Sequence, residues 1–192
     1  MVARTIGMSV DEFVSQYEQQ GPFELIDGEI ITMSPPNAGH GNSAGNVYYA
    51  IRNLAQSRKL GQVFMEIPFV LTDDPNWVKG SRVPDVMFIR AERWEKYSSE
   101  MSDWRKKPVI LVPDLVVEIV SPTDRYVDVE KKVMQYLADG VQIVWLVNPE
   151  QRTVTVYRAG SNQPTRLTTN DALDGADIIP GFTISVASIF ED

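Results

Sequence analysis

Glu118 stands in the stretch PDLVVEIVSPTD, flanked by Leu115, Val116, Val117, Ile119 and Val120. A run so rich in β-branched residues, with a Ser-Pro turn behind it, reads as a strand buried on both faces. A carboxylate in such a place must be paired or must bind a metal, because removing its water costs several kcal/mol. Two aspartates compete to share a cation with it. The tripeptide Val-Pro-Asp occurs at Val83, Pro84, Asp85 and again at Val112, Pro113, Asp114. Asp114 lies four residues from Glu118 on one strand, hence ~13 Å away, too far for ligand bonds of ~2.0–2.6 Å. Asp85 opens the preceding strand-like segment VPDVMFI. If the two strands pair, opposed Cβ atoms come within ~5 Å and both carboxylates can grip one ion. The plainer reading of Asp85 is an ordinary residue opening its strand after a proline.

The protein also offers a cation of its own. In DVEKKVMQYL the apolar positions Val129, Val133, Tyr136 and Leu137 form a helical stripe. At ~100° per residue Lys132 flanks that stripe, whereas Lys131 points almost directly away from it. Lys132 can pack its stem on the sheet and present its ammonium to Glu118. A solvated pair with Asp128, four residues earlier, is the competing reading. His40 is the only histidine, which excludes a histidine-rich zinc site, and a structural role for it stays open. GHGNSAG lacks the preceding strand and the later acid of a dinucleotide loop and reads as a loop leading into a helix.

Positioning these residues requires a mixed α/β arrangement. MSVDEFVSQYEQQG predicts a short helix capped by Ser9 and stopped at Gly21. FELIDGEIIT predicts a hairpin turning at Asp27-Gly28. Helical spacing of Val47, Ala50, Ile51, Leu54 and Ala55 predicts a helix from His40 or Asn42 to Lys59. QVFMEIPFVL, VPDVMFIR, the Glu118 segment, IVWLVN, TVTVYR and the tail IIPGFTISVASIF read as strands, with a helix over about 128–138 between the Glu118 strand and IVWLVN. RWEKYSSEMSDWRKKP is a polar excursion without a clear period.

At 192 residues one domain over 1–192 is expected, with a core large enough to need no staples. The absence of cysteine excludes disulfides and thiol nucleophiles. No apolar run approaches the ~20 residues of a membrane span. No apolar leader precedes the first acids, so a cytoplasmic location is expected. A net charge of −8 argues against broad non-specific nucleic-acid binding, while a local basic surface is compatible with it.

VPDV, DLVVEIVSPTDR and DVEKKVMQYLADGVQIVWLVNP together resemble a family catalogued as domain of unknown function 820, in the PD-(D/E)XK nuclease superfamily. FELIDGEIITMSPP, the histidine that follows it and the closing IIPGFTISV extend the likeness over nearly the whole chain. The resemblance implies a restriction-endonuclease-like mixed β-sheet flanked by helices, with a metal-dependent site at one end. Asp85 would be the aspartate of the PD element and Glu118 the acid of the (D/E)XK element. The lysine expected two residues after Glu118 is Val120, and the family's lysine on the next helix corresponds to Lys132. Glu24 and His40 match positions the family carries near its site. A Mg²⁺ or Mn²⁺ ion on Asp85, Glu118 and the carbonyl of Ile119 would neutralise charge on the phosphoryl oxygens of DNA. Lys79, Arg82 and Arg125 are candidates for phosphate contacts. The missing lysine at position 120 and the acidic charge motivate a rival, a nuclease-like fold retained for binding nucleic acid or protein. A hydrolase of another phosphodiester is a third reading, and exposed strand edges leave a homodimer open.

Overall fold

The computed structural model describes residues 7–33 and 35–192; residues 1–6 of the segment read as lacking a leader, and Ser34 of the MSPPNAG loop, lie outside the described residues. The chain opens with β1 (Met8–Ser9) and α1 (Val10–Gln20), where the Ser9 side chain accepts from the Glu12 N–H and Gly21 ends the helix at positive φ. The hairpin β2 (Phe23–Ile26) and β3 (Glu29–Thr32) turns on Asp27 and Gly28, both with positive φ, as a two-residue primed turn requires. α2 (Ala38–Arg58) follows. Then come β4 (Gly61–Met65), β5 (Phe69–Leu71), β6 (Trp77–Val78), β7 (Gly80–Arg82) and β8 (Val86–Arg90). α3 (Ala91–Glu100), a 3₁₀ turn (Trp104–Lys106), β9 (Leu115–Ile119) and α4 (Tyr126–Asp139) lead to β10 (Ile143–Asn148) and β11 (Thr153–Arg158). β12 (Thr165–Thr168), β13 (Ala172–Asp174), β14 (Thr183–Ser185) and a 3₁₀ turn (Val186–Phe190) complete the chain.

A six-stranded sheet of order β12-β11-β10-β9-β8-β4 forms the centre, with β9 and β10 parallel and the other neighbours antiparallel. α4 makes the crossover between the parallel pair, as such a pair demands. A four-stranded sheet, β3-β2-β7-β5, lies beside it and carries Glu24. The alternation of side chains decides what each face receives. From β9, Leu115, Val117 and Ile119 join Val47, Ile51 and Ala55 of α2 in one apolar cluster. Val116 instead joins Val133 and Tyr136 of α4 on the opposite face. Glu118 shares the parity of Val116, so it too faces α4.

Several sequence expectations need correcting. GHGNSAG is not a loop leading into a helix: α2 begins at Ala38, capped by the Asn37 side chain, and contains those glycines. QVFMEIPFVL is two strands, because Glu66 turns the chain at φ 52° and Pro68 cannot donate a ladder bond. The polar excursion contains α3, held by Trp94, whose ring meets Phe64, Tyr97 and Trp104. The apolar tail is one short strand and a 3₁₀ turn.

Asp114 proves to be part of the frame. Fully buried, it accepts from the Arg90 N–H at 2.9 Å and Gln142 Nε2 at 3.1 Å, and pairs with Arg93 at 2.8 Å. Asp114→Ala leaves the Arg90 N–H and the Gln142 amide without their acceptor, while Arg93 keeps the Val112 carbonyl, so a stability loss of about 2–3 kcal/mol is expected in urea denaturation. The far end of β9, where Glu118 sits, should keep its arrangement.

Candidate active site

Glu118 meets α4 at two points. Its Oε2 accepts from Lys132 Nζ at 2.8 Å and its Oε1 from the Tyr136 hydroxyl at 2.5 Å. Lys132 and Tyr136 are four residues apart, hence on one face of the helix. The Lys132 ammonium also lies 3.5 Å from Oε1 of Glu24, which is buried on β2 and accepts the Val83 N–H at 3.0 Å. One ammonium therefore sits between two carboxylates. The pairing is with these acids across the fold rather than with Asp128 in solvent.

Asp85 lies one residue before β8. Val86 of β8 pairs with Val117 of β9, so carrying that antiparallel register one step further sets Asp85 across from Glu118. Its carboxylate ties the end of the sheet to α2: Oδ2 accepts the Ile119 N–H at 2.6 Å, and Oδ1 meets His40 Nε2 at 2.9 Å. His40 belongs to the first turn of α2, and its backbone N–H is bound by the capping Asn37. The Ser121 hydroxyl stands 3.4 Å from His40 Nδ1.

Electrostatics follow from one partly buried cation serving several acids. Burial pushes the Glu118 carboxyl up to about 7; Asp85 and Glu24 push the same way, against Lys132. Burial opposes the charge on Lys132, but Glu118 and Glu24 outweigh it and raise its pKa, so this lysine is a cation at neutral pH. Burial, with Glu118 and Glu24, holds the Tyr136 phenol well above its ordinary range, so it donates as a neutral hydroxyl. The hydrogen bond to Asp85 raises the His40 pKa, against the effect of burial.

This donor set fits a hard divalent ion. Asp85 and Glu118 offer anionic oxygens, each with one protein partner and room for a second. Burial is the main cause of the raised Glu118 pKa, and the neighbouring charges of Asp85 and Glu24 add to it, a repulsion that a cation would relieve. Among the described residues no group of three or more histidine or acidic side chains is placed to hold a metal ion, so the protein offers at most a sparse pair of carboxylates. The ion such a site suits is one that keeps waters and takes substrate oxygens, the habit of Mg²⁺.

Two clefts reach the group. One of about 280 Å³ opens on Glu118 and Lys132 and is bordered by Arg125, Asp128 and Val120; another of about 340 Å³ opens on His40, Asp85 and Ser121. Asp85, Glu118, Lys132, Glu24 and His40 thus converge, with the Ile119 main chain bound to Asp85. Of the three candidate phosphate contacts, Arg125 alone borders one of these two clefts. Arg82 is buried, with Nε 3.1 Å from Asp139 and NH1 bonded to the Leu25 carbonyl, and Lys79 pairs with Asp73. Sequence reasoning passed over Tyr136, counted only as apolar, although its spacing from Lys132 was visible. It also passed over Ser121 and Glu66; the Glu66 N–H binds the Asp85 carbonyl at 3.1 Å.

No curated protein matches this sequence. A solved structure from Anabaena variabilis ATCC 29413, described as "a putative nuclease belonging to DUF820", superposes with a TM-score of 0.76 at 22% identity, covering 95% of this chain and 97% of that one. That likeness shows that the two chains share one mixed α/β fold over nearly their whole lengths. The sequence model of the Uma2 family, described as "Putative restriction endonuclease", matches residues 10–187, nearly the entire length, and the chain accordingly belongs to the Uma2 family.

Proposed function

We propose that this protein is a divalent-metal-dependent endonuclease that hydrolyses phosphodiester bonds of DNA. The observation that carries the reading is Glu118, a carboxylate on a strand buried on both faces, held between Lys132 and Tyr136 with Asp85 opposed across the sheet. A core strand has no structural need for such a group, whereas a metal site does.

Asp85, Glu118 and the Ile119 carbonyl would hold the ion. Mg²⁺ or Mn²⁺ there would neutralise phosphoryl charge and make water a better nucleophile. The residues do the rest. Lys132, already an ammonium, cannot serve as a base; it donates to a phosphoryl oxygen where charge grows as water attacks. Tyr136 and Lys132 fix the Glu118 rotamer from two sides, so the carboxylate needs little reorganisation. The Ile119 N–H and His40 do the same for Asp85. In the reaction a P–O bond to water forms and one ester P–O bond breaks; water gives up a proton and the leaving oxygen acquires one.

The test is plasmid nicking with Mg²⁺ or Mn²⁺ beside Asp85→Ala. Equal nicking by the two proteins, or none by either across single- and double-stranded substrates, sinks the nuclease reading. The second outcome would favour the non-catalytic module that Val120 suggests.

Metal affinity should depend on pH in a defined sense. Because the Glu118 carboxyl is raised to about 7, an incoming ion must displace its proton at lower pH. Affinity should rise roughly tenfold per pH unit below about 7 and level off above it. In the metal-free protein the same group favours folding most below its ordinary carboxylate pKa and loses that contribution as pH climbs toward about 7. Thermal unfolding with and without Mg²⁺ across this range reads both effects. A metal-induced shift as large in acid as in mild alkali would contradict them.

A further inference from the structure

Resting on that nuclease reading, we propose that the groove bearing Arg105, Lys106 and Lys107 is a docking site for the phosphates of a nucleic-acid strand, a few nucleotides from the bond being cut. This is the chain's one run of three consecutive basic residues, in a protein of net charge −8. An acidic protein that must hold a polyanion needs a local basic surface, and the residues at the reacting centre do not supply one: Glu24, Asp85 and Glu118 outnumber Lys132.

The groove is built on a rigid support. Arg105 and Lys106 lie in the 3₁₀ turn that Trp104 opens. The Trp104 ring packs edge-on against Trp94 at 4.8 Å, and the Arg105 guanidinium lies 4.3 Å over that ring. Lys107 is held by Asp103 at 2.9 Å. Downstream, the Ile110 N–H donates to the Tyr97 hydroxyl, Phe69 bridges to Val109 and the Val70 N–H donates to the Val109 carbonyl. Arg105 and Lys106 are exposed, yet the backbone under them is tied to α3 and β5.

Position connects the groove to the reacting centre. With a volume of about 330 Å³, it runs between the basic run and Tyr17, Ile67 and Pro68, with Glu18 as the acid on its wall. Glu66, the residue before Ile67, borders the cleft that opens on His40 and Asp85. Its N–H is 3.1 Å from the Asp85 carbonyl. From Glu66 to Pro68 the chain spans at most ~7 Å. A DNA strand presents a phosphate every ~3.4 Å along the axis, so one strand can lie in both places. The half-exposed Ile67 forms an apolar sill between them. Trp104 supplies a flat surface that already favours stacking with a guanidinium, the group best suited to bind phosphate with two hydrogen bonds.

The test measures binding of fluorescently labelled single- and double-stranded oligonucleotides by anisotropy, in Ca²⁺ and in EDTA, over a salt series. The proteins are wild type, R105Q/K106Q/K107Q and the single K106Q. Each phosphate contact contributes roughly 0.7–0.9 to the slope of log affinity against log salt. The triple variant is expected to bind about tenfold or more weakly, with a slope flatter by about 2, and K106Q by up to about 1. The Mg²⁺-induced shift should be unchanged, because these residues do not touch the carboxylates. K106Q should also leave the melting temperature unchanged, whereas the triple variant loses the Arg105–Trp104 and Lys107–Asp103 contacts and should melt slightly lower. An unchanged slope and affinity overturns the proposal, as does a wild type that binds no oligonucleotide at low salt. Loss of binding to phosphatidylserine vesicles with DNA binding intact assigns the groove to a membrane surface and overturns it too. If wild type binds DNA through this run but nicks nothing, the nuclease reading falls while the docking site stands.

Discussion

Glu118→Gln should make the metal-free protein more stable and catalytically dead. The substitution keeps the shape of the side chain, an oxygen to accept from Lys132 and an amide N–H to donate to the Tyr136 hydroxyl oxygen, while removing one charge from a buried group in which acids outnumber the lysine. Lys132 retains Glu24 as a partner at 3.5 Å. At about pH 8, where the wild-type carboxyl is ionised, a gain of roughly 1 kcal/mol would raise the melting temperature by about 2–4 °C. Losing an anionic ligand should abolish the Mg²⁺-induced shift and lower nicking by about a thousandfold or more. Opposite movement of stability and activity is the mark of a residue retained for chemistry. A Glu118→Gln protein that is less stable at this pH, or that keeps its metal response, would show the carboxylate to be structural.

Lys132→Met carries the second large effect. Methionine keeps an apolar stem at this position of α4 but removes the cation that Glu118 and Glu24 share. Loss of one preorganised donor to the phosphoryl group should reduce nicking about 10²–10³-fold. Stability should fall in a pH-dependent way. Without the ammonium, Glu118 holds its proton more tightly, so the penalty is small in mild acid, where the acid is neutral, and grows as pH rises. Lys132→Arg should recover stability better than rate, since a planar guanidinium carries the charge in a different geometry. Denaturation at about pH 6 and about pH 8 beside single-turnover nicking separates the two effects. Equal destabilisation at both pH values would mean that packing, not charge, is what Lys132 contributes.

The helix-borne half of this arrangement was the most legible in sequence. A period of 3.6 with Val129, Val133 and Tyr136 inward puts Lys132 over the sheet and Lys131 outside, as observed. A run of β-branched residues around one acid marked β9, and its alternation decides that Glu118 faces α4. Glu24 was not legible from spacing: 59 residues separate it from Val83, whose N–H it accepts, and nothing local in FELIDGE announces that contact. It was found through family resemblance. α3 was obscured because its sequence is mostly charged and polar and it buries no side chain completely, and aromatic contacts hold it instead. The start of α2 was hidden by glycines with low helix propensity, which packing against the sheet overrides.

The separations along the chain have a kinetic consequence. Glu118 and Lys132 are 14 residues apart within one strand–helix unit, whereas His40 and Asp85 are 45 apart and belong to segments that must meet from a distance. Loop closure over the longer span costs more entropy, so the strand–helix half should assemble first during refolding and the aspartate half later. A refolding chain would then acquire its ion-binding capacity in a late phase, after most secondary structure has formed. Luminescence from a lanthanide ion used in place of Mg²⁺ would time that event against the far-ultraviolet signal of the helices.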